Sequence, residues 1–185
     1  MAGKIKHWKT LASKTILKHA QLEVVEDIAM LPNGTKIPYV RFADAETQSV
    51  IIIAINAKNE ILIQREYSHP PHKIMWQLPG GSMKKGESIL VAARRELSEE
   101  SGYSSNRSQV IGSFYIQNRL SNKKQYVVAC SDLYVNRLTE DDDEFIETNW
   151  MTKLQVSDMI TKGQFDNINL LAALNIWFHS SGETS

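Results

Sequence analysis

Hydrophobic positions along this chain change their spacing several times, and each change marks an element. Val50-Ile-Ile-Ile-Ala-Ile55 is an unbroken apolar run of strand length, which reads as a strand buried on both faces. Glu60 to Arg65 follows it across Asn56-Ala57-Lys58-Asn59 and reads as its hairpin partner. Ahead of these, strands are predicted at Ile16-Leu17, Leu22 to Met30 and Ile37 to Phe42. Between the last two lies Leu31-Pro32-Asn33-Gly34, a turn whose Asn-Gly tolerates positive φ. Ser68 to Lys73 carries Pro70-Pro71 and is expected as a loop. Beyond Pro79-Gly80-Gly81 the period lengthens, predicting a helix from about Ser88 to Ser101 with Gly102 as its stop. Strands then fit Val110 to Gln117, Gln125 to Tyr134 and Phe145 to Met151, and helices fit Lys153 to Lys162 and Asn169 to His179. This order predicts an α/β fold: a mixed sheet between helices over 48–185, preceded by an antiparallel β element over 1–47.

Composition narrows the function classes. A chain of 185 residues that is 42% hydrophobic suits one packed domain with a small appended element. The 21 basic side chains equal the 21 acidic ones, so no global field favours nucleic acid or an anionic membrane, and neither is expected as a partner. The one cysteine, Cys130, sits in an apolar run and reads as a buried thiol. The N-terminal lysines have no apolar segment behind them, and no stretch nears the roughly 18–20 apolar residues of a membrane span. A soluble, cytoplasmic protein is expected.

Charge on the helix after Gly81 changes the picture most. Advancing about 100° per residue from Ile89 places Ile89, Leu90, Ala93 and Leu97 on one apolar arc. Glu96, Glu99 and Glu100 fall close together and overlap the edge of that arc, while Arg94 and Ser98 take the far side. A glutamate-rich helix is ordinarily a solvated face. Here the glutamates border the core stripe instead. They repel one another at i, i+3 and i, i+4, and they sit at the helix end where the macrodipole disfavours anions. Several local rules broken together without structural gain suggest a site, and a divalent cation is the simplest compensation. Carboxylates with substrate phosphates suit Mg²⁺ or Mn²⁺. Zinc lacks a histidine or cysteine cluster here.

Neighbouring residues have physical roles as well. Gly80-Gly81 and Gly86 permit a tight loop whose backbone can approach a metal or phosphate. Glu87 complements the positive start of the helix and can reach toward the metal side. Arg95, one turn before Glu99, can fix a glutamate rotamer by pairing; a direct catalytic part for Arg95 is the second reading.

Together these residues fill Gly81-x5-Glu87-x7-Arg95-Glu96-Leu97-x-Glu99-Glu100-x-Gly102-Tyr103. Every specified position of the Nudix signature is present, Tyr103 being the loosest fit, and the chain therefore resembles the Nudix hydrolase family. The resemblance implies an α/β/α sandwich and attack of water on a phosphorus of a nucleoside diphosphate joined to a group X. It implies Glu96, Glu100 and the Gly80 carbonyl as metal ligands, with Glu99 a ligand or a base.

Beyond the box, the chain is similar to the ADP-ribose and nucleotide-sugar pyrophosphatase branch. The features are the N-terminal β element, Ile61-Leu-Ile-Gln-Arg65-Glu-Tyr67, Trp76-Gln-Leu-Pro-Gly-Gly81, the acidic Asp141 to Glu144 run before Phe145, and a terminal helix from Asn167 to Trp177. In that branch the N-terminal element commonly builds a homodimer, and an acidic loop residue can serve as catalytic base. Glu144 is the first choice for that base and Asp143 the second; a solvated acidic turn is the plain alternative. Two departures leave the substrate open. No proline follows Pro79, whereas members acting on ADP-ribose usually carry one downstream, and Gln77 stands where the branch often has glutamate. Cations available for phosphates or the X group are Arg65, Lys84, Lys85, Arg119, Lys123 and Lys124; Arg65 stands out, since surface lysines are commonly only solvated. Trp76 or Tyr67 can stack on a base or simply pack on the core. No histidine is assigned a role. The expected substrate is thus ADP-ribose or another nucleotide sugar. House-cleaning of modified nucleoside triphosphates and a catalytically inactive nucleotide-binding module are the alternatives.

Overall fold

A computed structural model describes residues 5–20, 22–43, 48–138 and 145–180. Contacts divide the chain into two compact units, Met1–Glu46 with Tyr115–Lys123, and Thr47–Phe114 with Lys124–Ser185.

The first unit is an antiparallel sheet of three strands in the order β1-β2-β3: β1 Lys9–His19, β2 Leu22–Met30 and β3 Lys36–Phe42. The β2–β3 turn forms as its sequence predicts, with Gly34 at φ 86° and the Asn33 side chain accepting from the Thr35 amide at 3.0 Å. β1 begins seven residues before Ile16, at Lys9. All of its residues are exposed, so it has no apolar alternation to betray it; its pairing with β2 is broken by irregularities at Leu11 and Ile16.

The second unit holds two more sheets. In the order β4-β8-β7, β4 Ser49–Ala54 pairs parallel with β8 Lys124–Val135, and β7 is Tyr103–Tyr115. In the order β6-β5-β9, β5 Glu60–Ser68 pairs antiparallel with β6 Lys73–Gln77 and β9 Glu147–Thr152. Every residue of β4 is buried, as its unbroken apolar run requires. Its alternating side chains feed two cores. Ile51 and Ile53 pack with Leu170, Ala173, Leu174 and Trp177 of α3 (Ile168–Ser180) and Val156 of α2 (Lys153–Thr161). Val50, Ile52 and Ala54 pack with Ala92, Ala93 and Leu97 of α1 (Ile89–Ser101). Strands two-sided in this way, with α1 on one face and α2 and α3 on the other, make the expected α/β/α sandwich. No helix among the described residues is long and apolar enough to cross a membrane.

One pairing differs from the sequence expectation. The Asn56 turn forms, with the Asn56 amide bonded to the Glu60 carbonyl at 3.0 Å and its side chain accepting from Lys58 and Glu60. Yet β4 and β5 share only the isolated Ile55–Ile61 bridge before entering different sheets. Turn chemistry is local, whereas the partner of a strand is settled by which core each face fills. The expected loop at Ser68 to Lys73 is also shorter, because β5 and β6 pair as far as Ser68 and Lys73.

Candidate active site

Loop 79–82 is clamped to β4 by two backbone bonds: the Val50 amide to the Gly81 carbonyl, 2.9 Å, and the Ile52 amide to the Pro79 carbonyl, 2.8 Å. The intervening Gly80 turns its amide the other way, toward the Glu100 carboxylate at 3.2 Å. A Cβ on Gly80 would stand 2.3 Å from the Val50 carbonyl oxygen, and φ is +155°, so only glycine fits. A Cβ on Gly81 would meet the Glu96 carboxylate at 2.5 Å. Both glycines allow backbone to lie against acidic side chains.

Arg95 organises those side chains. Its Nε and Nη2 grip the two oxygens of Glu87 at 2.9 Å each, and Nη1 reaches Glu96 and Glu99 at 2.8 Å. Nη2 also donates to the Ser82 carbonyl at 3.1 Å, so every guanidinium hydrogen is used. Glu87 additionally accepts from the Lys84 amide at 2.8 Å. Arg95 holds the Glu87 carboxyl below its ordinary pKa, with burial acting against it. Burial pushes Glu96 up, and the bonds from Arg95 offset this only in part.

Glu96 and Glu100 are each 8% exposed, so carboxylates face the interior at the end of this helix, as the wheel requires. Three of the glutamates, Glu87, Glu96 and Glu99, thus share the single guanidinium of Arg95. Among the described residues no three carboxylate, histidine or cysteine side chains converge on one point, because three of these glutamates turn onto Arg95. The donor set is nonetheless that of a hard divalent cation: carboxylate oxygens and a backbone carbonyl, with no sulfur or imidazole. Gly80, Gly81, Ser82, Met83, Lys84, Arg95, Glu96 and Glu99 line a cavity of about 380 Å³ beside it.

Of the proposed substrate contacts, only Lys84 lines that cavity. Arg65 stacks 5.1 Å above the Trp76 ring and pairs with Glu147 at 3.5 Å, and Trp76 meets the edge of Phe165 in the core beneath α3. Arg119 lines a cavity of about 370 Å³ in the first unit with Trp8, Asp27, Tyr39 and Arg41, and its carbonyl accepts from the Tyr39 hydroxyl at 2.6 Å. Tyr67 contacts His72 Nδ1 at 3.1 Å, and Lys124 lies 5.4 Å over Tyr126. Gln77 bonds Glu66. Glu144 and Asp143 lie outside the described residues.

Ser98 departs from the wheel. It is 1% exposed rather than on a solvated side, since Asn136 bonds its hydroxyl at 3.1 Å and folds the end of β8 over the helix terminus. That fold brings Arg137 to a second cavity lined by Glu99 and Glu100. No local spacing relates residue 137 to residue 99, so sequence reasoning had no signal for it.

Comparison with known proteins follows the same lines. The NUDIX domain family profile matches residues 45–174. A relative from Bacillus methanolicus named "Methanol dehydrogenase activator" is 31% identical over 149 residues, 78% of this chain and 78% of its own. "ADP-ribose pyrophosphatase" of Bacillus subtilis (strain 168) is 27% identical over 148 residues, again 78% of each. A solved structure titled "Crystal structure of ADP compounds hydrolase" superposes with a TM-score of 0.89 over 99% of this chain and 100% of that one, at 22% identity, and thus shares the fold.

Proposed function

The chain belongs to the Nudix domain family, and from that premise we propose that it hydrolyses the diphosphate of a nucleoside diphosphate linked to X, with Mg²⁺ and ADP-ribose or another nucleotide sugar as substrate. The reaction class is that of a pyrophosphohydrolase, and it yields two monophosphates. The observation that carries the reading is the carboxylate cluster gathered on Arg95 against Gly80 and Gly81, three carboxylates sharing one guanidinium. Glu96, Glu99, Glu100 and the Gly80 carbonyl would hold Mg²⁺ (or Mn²⁺), which lends Lewis acidity to the bound diphosphate. Arg95 would keep the glutamates oriented, with Glu87 as its anchor and an outer contact of the metal. Lys84 would meet a phosphate. Glu144 is assigned the base that takes the proton of the attacking water, and Arg65 and Trp76 are assigned to the rest of the substrate. ADP-ribose heads the panel because a relative bears the name ADP-ribose pyrophosphatase. Product analysis on ADP-ribose, nucleotide sugars and modified nucleoside triphosphates, with and without Mg²⁺, tests this. Two monophosphates formed only with Mg²⁺ are expected. Release of inorganic pyrophosphate from triphosphates alone would favour house-cleaning instead.

Relatedness to a protein named for activating methanol dehydrogenase supports a second reading, that the chain activates a dehydrogenase. Adding the chain to such a dehydrogenase assay distinguishes the two.

A homodimer in the cytoplasm is part of the proposal. β1 is an edge strand, paired on one side only with β2 among the described residues, and Trp8, Leu11, Ile16 and Leu17 on or beside it are 42–51% exposed. Such an edge is normally covered, and a second copy is the proposed cover. Light scattering of the full chain should give twice the monomer mass.

A further inference from the structure

We propose that Arg137 binds the phosphate on the far side of the glutamate cluster from Lys84, so that the two cations flank the metal-binding helix end and fix a diphosphate across it. The inference rests on the hydrolase reading above and names a residue which that reading does not use.

Glu99 lines two cavities. One holds Lys84 and the Gly80–Gly81 loop. The other, of about 200 Å³, is lined by Ser98, Glu100, Gly102, Arg137 and Thr148 among others. Arg137 is delivered there by a built segment. The Asn136 amide bonds the Gly102 carbonyl at 2.9 Å, the Asn136 side chain bonds the Ser98 hydroxyl at 3.1 Å, and the Leu138 amide reaches the Ser98 carbonyl at 3.5 Å. Gly102, in the left-handed region at φ 72°, leaves room for the arginine: a Cβ there would be 2.9 Å from Arg137 Cγ and 3.3 Å from Nε. The stem therefore crosses the helix terminus where a side chain would otherwise stand.

Among the described residues Arg137 forms no ion pair, although it shares its cavity with two carboxylates. The plain explanation is a cation favoured by the C-terminal end of a helix dipole. That accounts for a positive charge near Gly102, but an exposed lysine anywhere on the last turn would serve as well. It does not account for a guanidinium held over a glycine beside the carboxylates of the metal site. A planar fork of donors suits phosphate oxygens, and a diphosphate bound with one divalent cation would still carry negative charge for a second partner.

The test compares Arg137→Gln and Arg137→Lys with the parent by kcat/KM on the best diphosphate substrate, thermal midpoint, and calorimetric titration with methylenediphosphonate in Mg²⁺. Arg137→Gln should lose at least about tenfold in kcat/KM and in phosphonate affinity, with Tm unchanged, and Arg137→Lys should recover part of both. A role confined to the helix dipole would lower Tm and leave phosphonate affinity alone. Arg137→Gln within twofold of the parent in both readouts overturns the inference. Should the parent turn over no diphosphate compound, the hydrolase reading fails separately. The phosphonate titration then decides Arg137 by itself: equal or undetectable binding by parent and variant counts against it.

Discussion

Gly81 lies so close to Glu96 that a methyl group on its Cα would stand 2.5 Å from Oε1 and 2.6 Å from Cδ. The colliding atoms are the end of a side chain, which can swing, rather than fixed backbone. Gly81→Ala should therefore cost about 1 kcal/mol of stability, the low end for overpacking, while displacing the buried carboxylate. We expect activity to fall by tenfold or more with Tm within a few degrees of the parent. Full activity in Gly81→Ala would mean that the position of Glu96 does not matter to catalysis.

The carboxylates themselves give a sharper comparison. Glu99→Gln and Glu100→Gln keep shape and remove charge, so each should lose at least about a hundredfold in rate with little change in fold. Three carboxylates crowded on one guanidinium also predict that metal stabilises the protein. A cation at 100 times its Kd adds about 2.7 kcal/mol, or roughly 5–10 °C in Tm for a chain of this size. Thermal melts in EDTA and in Mg²⁺ measure this, and Glu100→Gln should shrink the gap. Equal melts for the parent in both buffers would count against a metal at this helix.

The helix, its glycine loop and its stop at Gly102 were all legible in the sequence, because each is set by neighbours within a few residues. β4 was legible too, since its two buried faces demand an unbroken apolar run. What escaped depends on contacts far along the chain. The Asn56 turn is where the sequence places it, but the separation of β4 from β5 follows from which helices cover them. β6 hides behind the Pro70-Pro71 turn, with Lys73 and Ile74 exposed and no alternation to mark it. Ser98 looks solvated on a wheel and is covered by Asn136, which is 38 residues away. The same covering carries Arg137 to the site.

Asp27 supplies a pH prediction in the first unit. It is 6% exposed, and Arg41 Nε donates to it at 2.7 Å while Ser13 donates at 2.6 Å. The Arg41 bond, aided by Ser13, holds its carboxyl below the usual aspartate range although burial works against it. A carboxyl with a lowered folded pKa contributes stability above its unfolded pKa of about 3.9, and that contribution disappears as pH falls through the lower folded value. Asp27→Asn should cost about 1–2 kcal/mol near pH 7, and its Tm deficit should narrow below about pH 4. A deficit that widened on acidification would reverse the sign of the argument.

Gln64 is the one fully buried polar side chain of β5, and its two ends differ. Nε2 reaches the Glu100 carbonyl at 3.5 Å, a long bond to the last turn of α1, while Oε1 has no partner among the described residues. An orphaned buried acceptor costs about 1–3 kcal/mol, and a bond at the limit of contact returns little of it. Methionine nearly matches the volume and carries no such acceptor. Gln64→Met should leave stability equal or raise it by up to about 1 kcal/mol, whereas Gln64→Ala should lose about 2 kcal/mol through the cavity it opens. So long a bond holds the backbone of Glu100 only weakly, and Gln64→Met should keep kcat within about threefold of the parent as Tm holds. Denaturant melts and steady-state rates on both variants separate these effects. A loss beyond about 2 kcal/mol in Gln64→Met would show that Oε1 is satisfied after all, by a buried water making several bonds at that point.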